Sequence, residues 1–187
     1  MTTARPHRRR DSHRTRRALL LAAQELFGGQ GYTRTTLRDI AERAGVDAAL
    51  IARYFGNKTL LYIASLETDD LDDGVPPGEC RPVQGLVERV IDRATSPVLQ
   101  AAVTPSRDPR VQEAVCRVLT RHIVAPLRGQ IDAAGLDRAA LRAEVAAAAL
   151  AGIALGRVAG AFEVLADASV DDVAELSQQL LDEIIDR

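Results

Sequence analysis

Basic side chains are the chemically distinctive groups of this sequence, and the ligand that they suit is a polyanion. Residues 1–66 hold twelve Arg and Lys against five Asp and Glu, a net charge of +7. Residues 67–187 hold twelve against twenty-one, a net charge of −9, and the two parts sum to −2. A basic first third on an acidic body predicts one part that meets a polyanion. The alternative is that the RRR cluster at residues 8–10 and the TRR cluster at residues 15–17 form only a solvated, disordered arm.

Residue types that catalyse reactions or bind metals show no comparable grouping. His7, His13 and His122 have no metal-ligand spacing with one another or with Cys80 and Cys116. The sequence also lacks a glycine-rich phosphate loop, a nucleophile elbow and a carboxylate pair in a distinctive context. We therefore expect no enzyme, no metal and no cofactor.

The composition predicts an all-α protein. Apolar residues make up 47% of the chain but aromatic residues only 3%, so the core must consist of Leu, Val, Ile and Ala. No segment alternates β-branched residues between turn signals, as strands do. The longest apolar run, residues 145–155, falls short of the ~20 residues of a membrane span, and residues 18–23 are too short for a signal-peptide core. We expect a soluble, cytoplasmic protein with reduced cysteines.

The basic residues must be positioned by the helices of the first third, where apolar residues recur at spacings of three and four. Three glycines, Gly28, Gly29 and Gly31, are predicted to end the first helix. Thr36 and Asp39 have capping-box spacing at the start of the second. The four predicted helices span residues 14–27, 36–44, 47–55 and 58–70.

The second and third of these helices are joined through Gly45-Val46 and follow an amphipathic helix, which describes a helix-turn-helix. Gly45 suits the left-handed turn conformation, and Asp47 can cap the third helix. A rigid turn of this kind holds the third helix outward, where it can enter the DNA major groove. The arrangement therefore predicts a nucleic-acid-binding unit of about residues 36–55.

The segment LFGGQGYTRTTLRDIAERAGVDAALIARYFGNKTLL closely resembles the DNA-binding domain of the TetR family of repressors, nearly continuously from Arg17 to Leu61. The remainder matches only in length and helical character. The resemblance implies a basic arm of residues 1–12, a three-helix DNA-binding domain of residues 13–57, and a ligand-binding and dimerisation domain of residues 58–187, with about nine helices. The most specific matches are Leu26-Phe27, Gly31-Tyr32, Thr35-Thr36, Ile40-Ala41, Ala44-Gly45-Val46, Tyr54-Phe55 and Lys58.

The resemblance also implies which residues meet DNA: residues 48–53 face the bases, and Thr36, Tyr54 and Lys58 hold phosphates. Lys58 stands at a helix start, where its charge and free backbone N–H groups both suit a phosphate. Leu50 and Ala52 are apolar where the family often has hydrogen-bonding residues. Arg53 is therefore the one strong base-edge donor of the third helix, with guanine as favoured partner and a phosphate as the alternative. The predicted DNA-binding set is Thr35, Thr36, Ala48, Ala49, Leu50, Ala52, Arg53, Tyr54 and Lys58.

The remaining two-thirds of the chain predict further helices after an acidic, turn-rich break at residues 69–82. Asp108-Pro109 reads as the start of a long helix that Pro126 should kink. Asp137 is predicted to cap another, running to about Leu165, and the last helix starts at residue 171 or 172. Gly152, Gly156 and Gly160 stand at four-residue spacing in the helix that Asp137 is predicted to cap, and they indicate close approach of another backbone.

The TetR resemblance implies a four-helix dimer interface built from the last two helices of each subunit. The predicted interface residues are Gly152, Gly156, Gly160, Val173, Leu176, Leu180 and Ile184. An aliphatic core suits a small apolar or amphipathic effector. The predicted pocket residues are Tyr62, Gln112, Arg117, His122, Arg157 and Phe162.

These features predict a ligand-responsive repressor that binds double-stranded DNA as a homodimer on a palindromic operator. One alternative is a helical interaction protein whose basic arm binds any polyanion without sequence preference. Another is a helical-bundle enzyme, whose activity would survive the loss of Arg53 and Lys58. The ordered pattern from Thr36 to Lys58 disfavours both.

Overall fold

A computed structural model describes residues 6–68, 85–104 and 106–185 of the chain, with side chains from residue 11 onward. The helices are α1 (Pro6–Arg34), α2 (Leu37–Ala44), α3 (Ala49–Phe55), α4 (Lys58–Glu67), α5 (Leu86–Asp92), α6 (Pro97–Val103), α7 (Pro109–Leu119), α8 (Ala125–Ala133), α9 (Ala139–Ala159), α10 (Glu163–Asp167) and α11 (Val170–Ile185). A π-helical turn, Thr120–Val124, joins α7 directly to α8. If α7, the π-helical turn and α8 are counted as one continuous helix, the described part has ten helices and no strand. The all-α prediction is confirmed. The acidic break and Cys80 lie outside the described residues.

The first helix, α1, is longer than predicted at both ends. It begins at Pro6, a residue suited to the first helical turn because its missing N–H needs no partner there. The helix thereby takes in residues 6–12 of the segment predicted to be a disordered arm, and residues 1–5 lie outside the described range. Gly28 and Gly29 lie within the helix and only Gly31, at φ +80°, departs from it. The prediction that all three glycines end the helix is wrong, because the ~1 kcal/mol cost of a helical glycine does not by itself stop a helix whose face is packed.

Two hydrophobic clusters form the core. The first packs α1 to α4 against α6 and α7, and the second packs α5, α8, α9 and α11 around the π-helical turn. In the first cluster Val98 of α6 and Val115 of α7 lie among residues of the predicted DNA-binding domain, such as Phe27. The predicted domain boundary between residues 57 and 58 therefore falls within one continuous cluster.

The long helix that Asp108-Pro109 opens has the predicted start and an irregular middle. Asp108 caps α7 by accepting a hydrogen bond from the backbone N–H of Arg110 at 3.0 Å. Near its middle the rod widens into the π-helical turn, and Pro126 follows two residues later. Proline has no N–H to offer the carbonyl four residues earlier, so a regular α-helical ladder cannot pass through it. The π-helical turn is the form that the predicted kink takes.

The last three helices differ from the prediction in their ends. Asp137 does not cap α9; Arg138 stands at its N-cap in a left-handed conformation, φ 52°. Gly160, at φ +65°, ends α9 five residues before the predicted end, and α10 then leads into α11. By length and composition α9 could cross a membrane. Its buried alanines and Leu150 belong to the second cluster, and core helices of soluble proteins meet the same criterion.

Candidate nucleic-acid interface

The capping box predicted at the start of α2 is present. The Oγ1 atom of Thr36 accepts a hydrogen bond from the Asp39 N–H at 3.2 Å, and the Asp39 carboxylate accepts one from the Thr36 N–H at 2.9 Å. Gly45 ends α2 at φ 66°, and the Val46 N–H donates back to the Ala41 carbonyl at 3.0 Å. Both ends of α2 are thus fixed by local interactions, which orient the helix after it.

Replacing Asp39 with Asn tests this cap through its pH dependence. The hydrogen bond from the Thr36 backbone lowers the pKa of Asp39 below its ordinary value of 3.8. A folded-state pKa that is below the unfolded one adds stability above the ordinary pKa, and this is lost as pH falls through the lowered value. We expect Asp39→Asn to lower the thermal midpoint more at pH 7 than at pH 2.5, as measured by circular dichroism. A midpoint difference that is equal at both pH values would contradict this.

The third helix, α3, presents one exposed face and one buried face. Ala48 stands at its N-cap in place of the predicted Asp47, and the carboxylate of Asp47, one residue earlier, accepts a hydrogen bond from the Ala49 N–H at 2.7 Å. Ile51 and Phe55 are buried in the first cluster. Leu50 and Tyr54 are half-buried and pack against that cluster. The exposed face consists of Ala48, Ala49, Ala52 and Arg53.

This exposed face is therefore narrow and almost wholly apolar. Arg53 is its only charged side chain, and its guanidinium lies 5.9 Å from the Tyr54 ring. A stacked guanidinium keeps its planar set of donors available to a base edge. The packing of Leu50 and Tyr54 leaves Arg53 as the residue of α3 best suited to read a base.

Lys58, the first residue of α4, is held beside α3 by Tyr32. Its Nζ atom lies 4.4 Å from the Tyr32 ring centroid, and the Tyr32 hydroxyl shares a 3.0 Å hydrogen bond with Thr59 Oγ1. Asn57 caps α4 by accepting from the Leu60 N–H at 3.0 Å. Partial burial lowers the pKa of Lys58, an effect that nearby Asp39 opposes. Lys58 and the N-terminus of α4 together form a cationic corner suited to a phosphate.

Tyr32 is a positioning residue that the predicted set omits. The sequence signal was present, since Gly31-Tyr32 belongs to the segment that carried the family resemblance. Tyr32 stacks against Phe27 at 5.8 Å and makes a tilted contact with Tyr62 at 4.9 Å, so its ring is fixed against the core. It links the core of the unit to its cationic corner.

Thr35 does not belong to the DNA-binding set, and that prediction is wrong. Its side chain is fully buried. The hydroxyl donates to the carbonyls of Leu26 at 3.0 Å and Gly31 at 2.9 Å. Because Gly31 breaks α1, backbone carbonyls at its end need donors, and Thr35 supplies one. Its role is to close the turn between α1 and α2.

The six predicted pocket residues are not brought together. Tyr62 belongs to the aromatic group under α1, where burial raises its pKa to about 12. Gln112 and Arg117 are exposed on α7, and Arg117 pairs with Glu67 of α4 and with Glu113. These three residues therefore do not line one pocket, because the sequence alone does not show which cluster each helix joins.

The other three predicted pocket residues also have separate environments. Arg157 donates to the carbonyls of Ala168 and Ser169, and so holds the turn before α11. Phe162 is 62% exposed. His122 alone is buried, 5% exposed, in the π-helical turn beside the second cluster.

A large apolar groove lies between the end of α9, α10 and α11. Its volume is about 980 Å³, and Leu176 and Leu180, predicted for the dimer interface, project into it while 67% and 46% exposed. The lining residues are Ala149, Gly152, Ile153, Phe162, Glu163, Val164, Leu165, Ala168, Asp172, Val173, Leu176, Ser177 and Leu180.

Four of the predicted interface residues have structural roles within the subunit. Val173 is 4% exposed and packs in the second cluster, and Ile184 packs against it. Gly160 ends α9 rather than extending a glycine stripe. Beside Gly156 a Cβ would meet the Phe162 ring at 3.2 Å, so an aromatic ring of the same chain is a close neighbour there. The groove, rather than the stripe, is the exposed apolar feature.

Comparison with known proteins decides what this arrangement is. Residues 19–64 match the family described as bacterial regulatory proteins, tetR family. Residues 81–185, more than half of the chain, match the tetracyclin repressor-like C-terminal domain.

The chain belongs to the TetR family. As a TetR-family protein it is a DNA-binding transcriptional regulator, with an N-terminal helix-turn-helix and a helical C-terminal domain. It is similar to a TetR-family regulator from Streptomyces coelicolor A3, with 28% identity and a TM-score of 0.52 over 94% of this chain and 96% of that one.

Two further proteins differ in how much they share with this chain. The activator FasR of Mycolicibacterium smegmatis is 41% identical over 59 residues, 30% of this chain and 27% of FasR, so the match spans about a quarter of that relative. The structure of FadR from Bacillus subtilis in complex with stearoyl-CoA shares the fold, with a TM-score of 0.56 and 17% identity over 90% of this chain and 97% of FadR.

Proposed function

We propose that this regulator is a repressor that binds a palindromic operator as a homodimer and is released by a small apolar or amphipathic effector. The observation that carries the proposal is the exposed face of α3, with Arg53 as its only charge, beside the cationic corner at Lys58. A helix held outward by a capped turn, with a phosphate site at its end, suits docking in a major groove.

The proposed DNA contacts are of two kinds: contacts with base edges and contacts with phosphates. Arg53 reads a base, with guanine as its favoured partner, because two of its donors match the O6 and N7 atoms of that base. Ala48, Ala49 and Ala52 are small enough for close approach and suit thymine methyl groups. Thr36, Tyr54 and Lys58 hold phosphates and fix the register. Each subunit is therefore expected to contact only a few bases of its half-site.

The apolar groove supports the homodimer. Soluble monomers rarely expose large contiguous apolar surfaces. A second copy of α9 and α11 would cover the groove with the same residues, as twofold symmetry requires. Two recognition helices related by such an axis suit successive major grooves about 34 Å apart.

The effector would act through the helices that contact the DNA-binding unit. The second cluster is aliphatic, which suits an apolar or amphipathic molecule. His122, buried in the π-helical turn, is the polar residue best placed to add specificity there. FadR shows that a protein of this fold binds the amphipathic stearoyl-CoA. To switch almost completely, the effector must bind the released state about 10⁴-fold more tightly.

Binding to chromosomal DNA places the proposed activity in the cytoplasm and requires no catalytic group. FasR is named an activator, so a reporter gene downstream of the bound site decides the direction of regulation. Loss of reporter repression in a deletion strain supports the proposal. Loss of expression instead would identify an activator.

The first experiment is footprinting on DNA upstream of the gene, against random competitor, with Arg53→Ala and Lys58→Gln. Loss of a bidentate base contact costs about 1–3 kcal/mol per half-site, so we expect Arg53→Ala to weaken operator binding at least tenfold while random DNA binding changes little. Lys58→Gln should weaken both equally. Arg128→Gln, an exposed charge on α8, is the control. Equal loss of operator and random binding in Arg53→Ala would make that residue a phosphate contact.

A further inference from the structure

The positive charge of residues 6–66 is concentrated ahead of the helix-turn-helix. Residues 18–66 hold five Arg and Lys against four Asp and Glu, a net charge of +1. Residues 6–17 hold six Arg against one Asp, a net charge of +5. Within the helix-turn-helix, Arg43 is also bound to Glu25 at 2.8 Å. The sequence-independent part of DNA affinity comes from cations that displace counterions at phosphates, and the helix-turn-helix has few of them to offer.

These arginines lie on an ordered extension of α1. Among the residues of α1 whose side chains are described, 11–34, the first one buried in the core is Leu19, and residues 6–17 form about three turns of helix ahead of it. At 1.5 Å per residue they are about 18 Å long, which matches roughly five base pairs of one DNA strand. The matched helix-turn-helix family region begins only at residue 19. The extension thus lies ahead of the matched region.

The extension lies beside the recognition helix. The Arg16 guanidinium stacks 5.1 Å from the ring centroid of Phe55, the last residue of α3. Phe55 is followed by Gly56, Asn57 and Lys58, the start of the cationic corner. Arg14 and Arg17, three residues apart and therefore on one side of the helix, are exposed. The Arg16 contact therefore anchors this cationic helix at the end of α3, next to the segment that leads to Lys58.

We propose that the extension of α1, residues 6–17, is a second DNA-binding element that contacts phosphates flanking each half-site and supplies most of the electrostatic affinity for DNA. This inference rests on the proposed function, since it assumes an operator that α3 reads. The extension adds affinity without sequence preference, because arginine contacts with phosphates carry no base information. It also lengthens the bound site by about five base pairs on each side.

The test compares Arg14→Gln/Arg17→Gln with Arg128→Gln/Arg138→Gln in the full-length protein. The second pair removes the same charge from exposed positions on α8 and in the loop that follows it. Neither first-pair residue takes part in the Phe55 stack, so both variants should keep the wild-type melting temperature. Binding to operator and to random DNA is measured between 50 and 300 mM salt, with hydroxyl-radical footprints.

Each phosphate contact contributes about 0.9 to the slope of log affinity against log salt. We expect the slope of Arg14→Gln/Arg17→Gln to fall by two to four units for a dimer, and affinity at 0.1 M salt to fall at least roughly tenfold on both DNAs. Protection should shorten at the flanks, while the specificity ratio stays constant. The Arg128→Gln/Arg138→Gln variant should leave the salt slope, the affinity and the footprint unchanged. Equal slopes in the two variants would overturn the inference; wild-type protein without preference for any site would instead overturn the proposed function.

Discussion

A protein with Leu176 and Leu180 both replaced by Asp is expected to be monomeric and to lose tight operator binding. Both side chains project into the apolar groove, 67% and 46% exposed, and a second subunit would bury them. Truncating a central interface residue commonly costs about 2 kcal/mol or more, and each change occurs twice in a symmetric dimer. The dimer dissociation constant should therefore rise at least about a thousandfold.

Sedimentation velocity at micromolar concentration measures this change directly. Because a monomer presents only one recognition helix, operator affinity should fall at least about a hundredfold. Val103→Asp is the matched control, since Val103 is an exposed apolar residue, 59%, on α6 and outside the groove. If the double variant remained a dimer, another surface would have to form the interface.

Gly28→Ala is expected to be the most destabilising single-methyl change in the DNA-binding unit. An added Cβ would overlap the Thr95 carbonyl oxygen and lie 3.2 Å from its carbon. Both are backbone atoms, so a side-chain rotation cannot relieve the overlap, and α1 must move away from the loop before α6. Overpacking of this kind costs about 3 kcal/mol. For a chain of this size the thermal midpoint should fall by roughly 6–12 °C.

The neighbouring glycine provides a control of opposite sign. Gly29 is also helical and exposed, and a Cβ there meets nothing within 4 Å. Gly29→Ala should raise stability by up to about 1 kcal/mol, because alanine is the better helix former. Differential scanning calorimetry of the two variants separates the contact from helix propensity. Equal effects of the two substitutions would show that α1 does not pack tightly on Thr95.

Local signals predicted much of the DNA-binding unit. Thr36 and Asp39 stabilise each other across three residues, and Gly45 needs only its own backbone conformation, so both features follow from sequence spacing. The burial of Thr35 did not follow. Its hydroxyl partners, the carbonyls of Leu26 and Gly31, become available only because α1 runs past two glycines and breaks at the third. An interaction that depends on where a helix ends is not visible in residue types.

The C-terminal site was harder to predict because helical spacing gives a buried face but not its neighbour. Val173 and Leu176 are three residues apart in α11 and both line the groove, yet Val173 is 4% exposed and packs in the core whereas Leu176 is 67% exposed. The glycines of α9 likewise indicated close packing, but Phe162 of the same chain supplies the contact at Gly156. Distinguishing such neighbours requires the tertiary arrangement of α9, α10 and α11.

The contact between α1 and the segment before α6 limits how this protein can be recombined. The Thr95 carbonyl oxygen lies against Gly28, in space that a Cβ would occupy. The Gln100 side-chain amide donates a hydrogen bond to the Gly28 carbonyl. A hybrid that joined residues 1–57 to the effector-binding part of another regulator would lose both contacts that residues 95–100 make with Gly28. Residue 28 and residues 95–100 form a compatibility pair across the junction. Exchange of modules, in the laboratory or in evolution, must carry both halves of that pair or change both together.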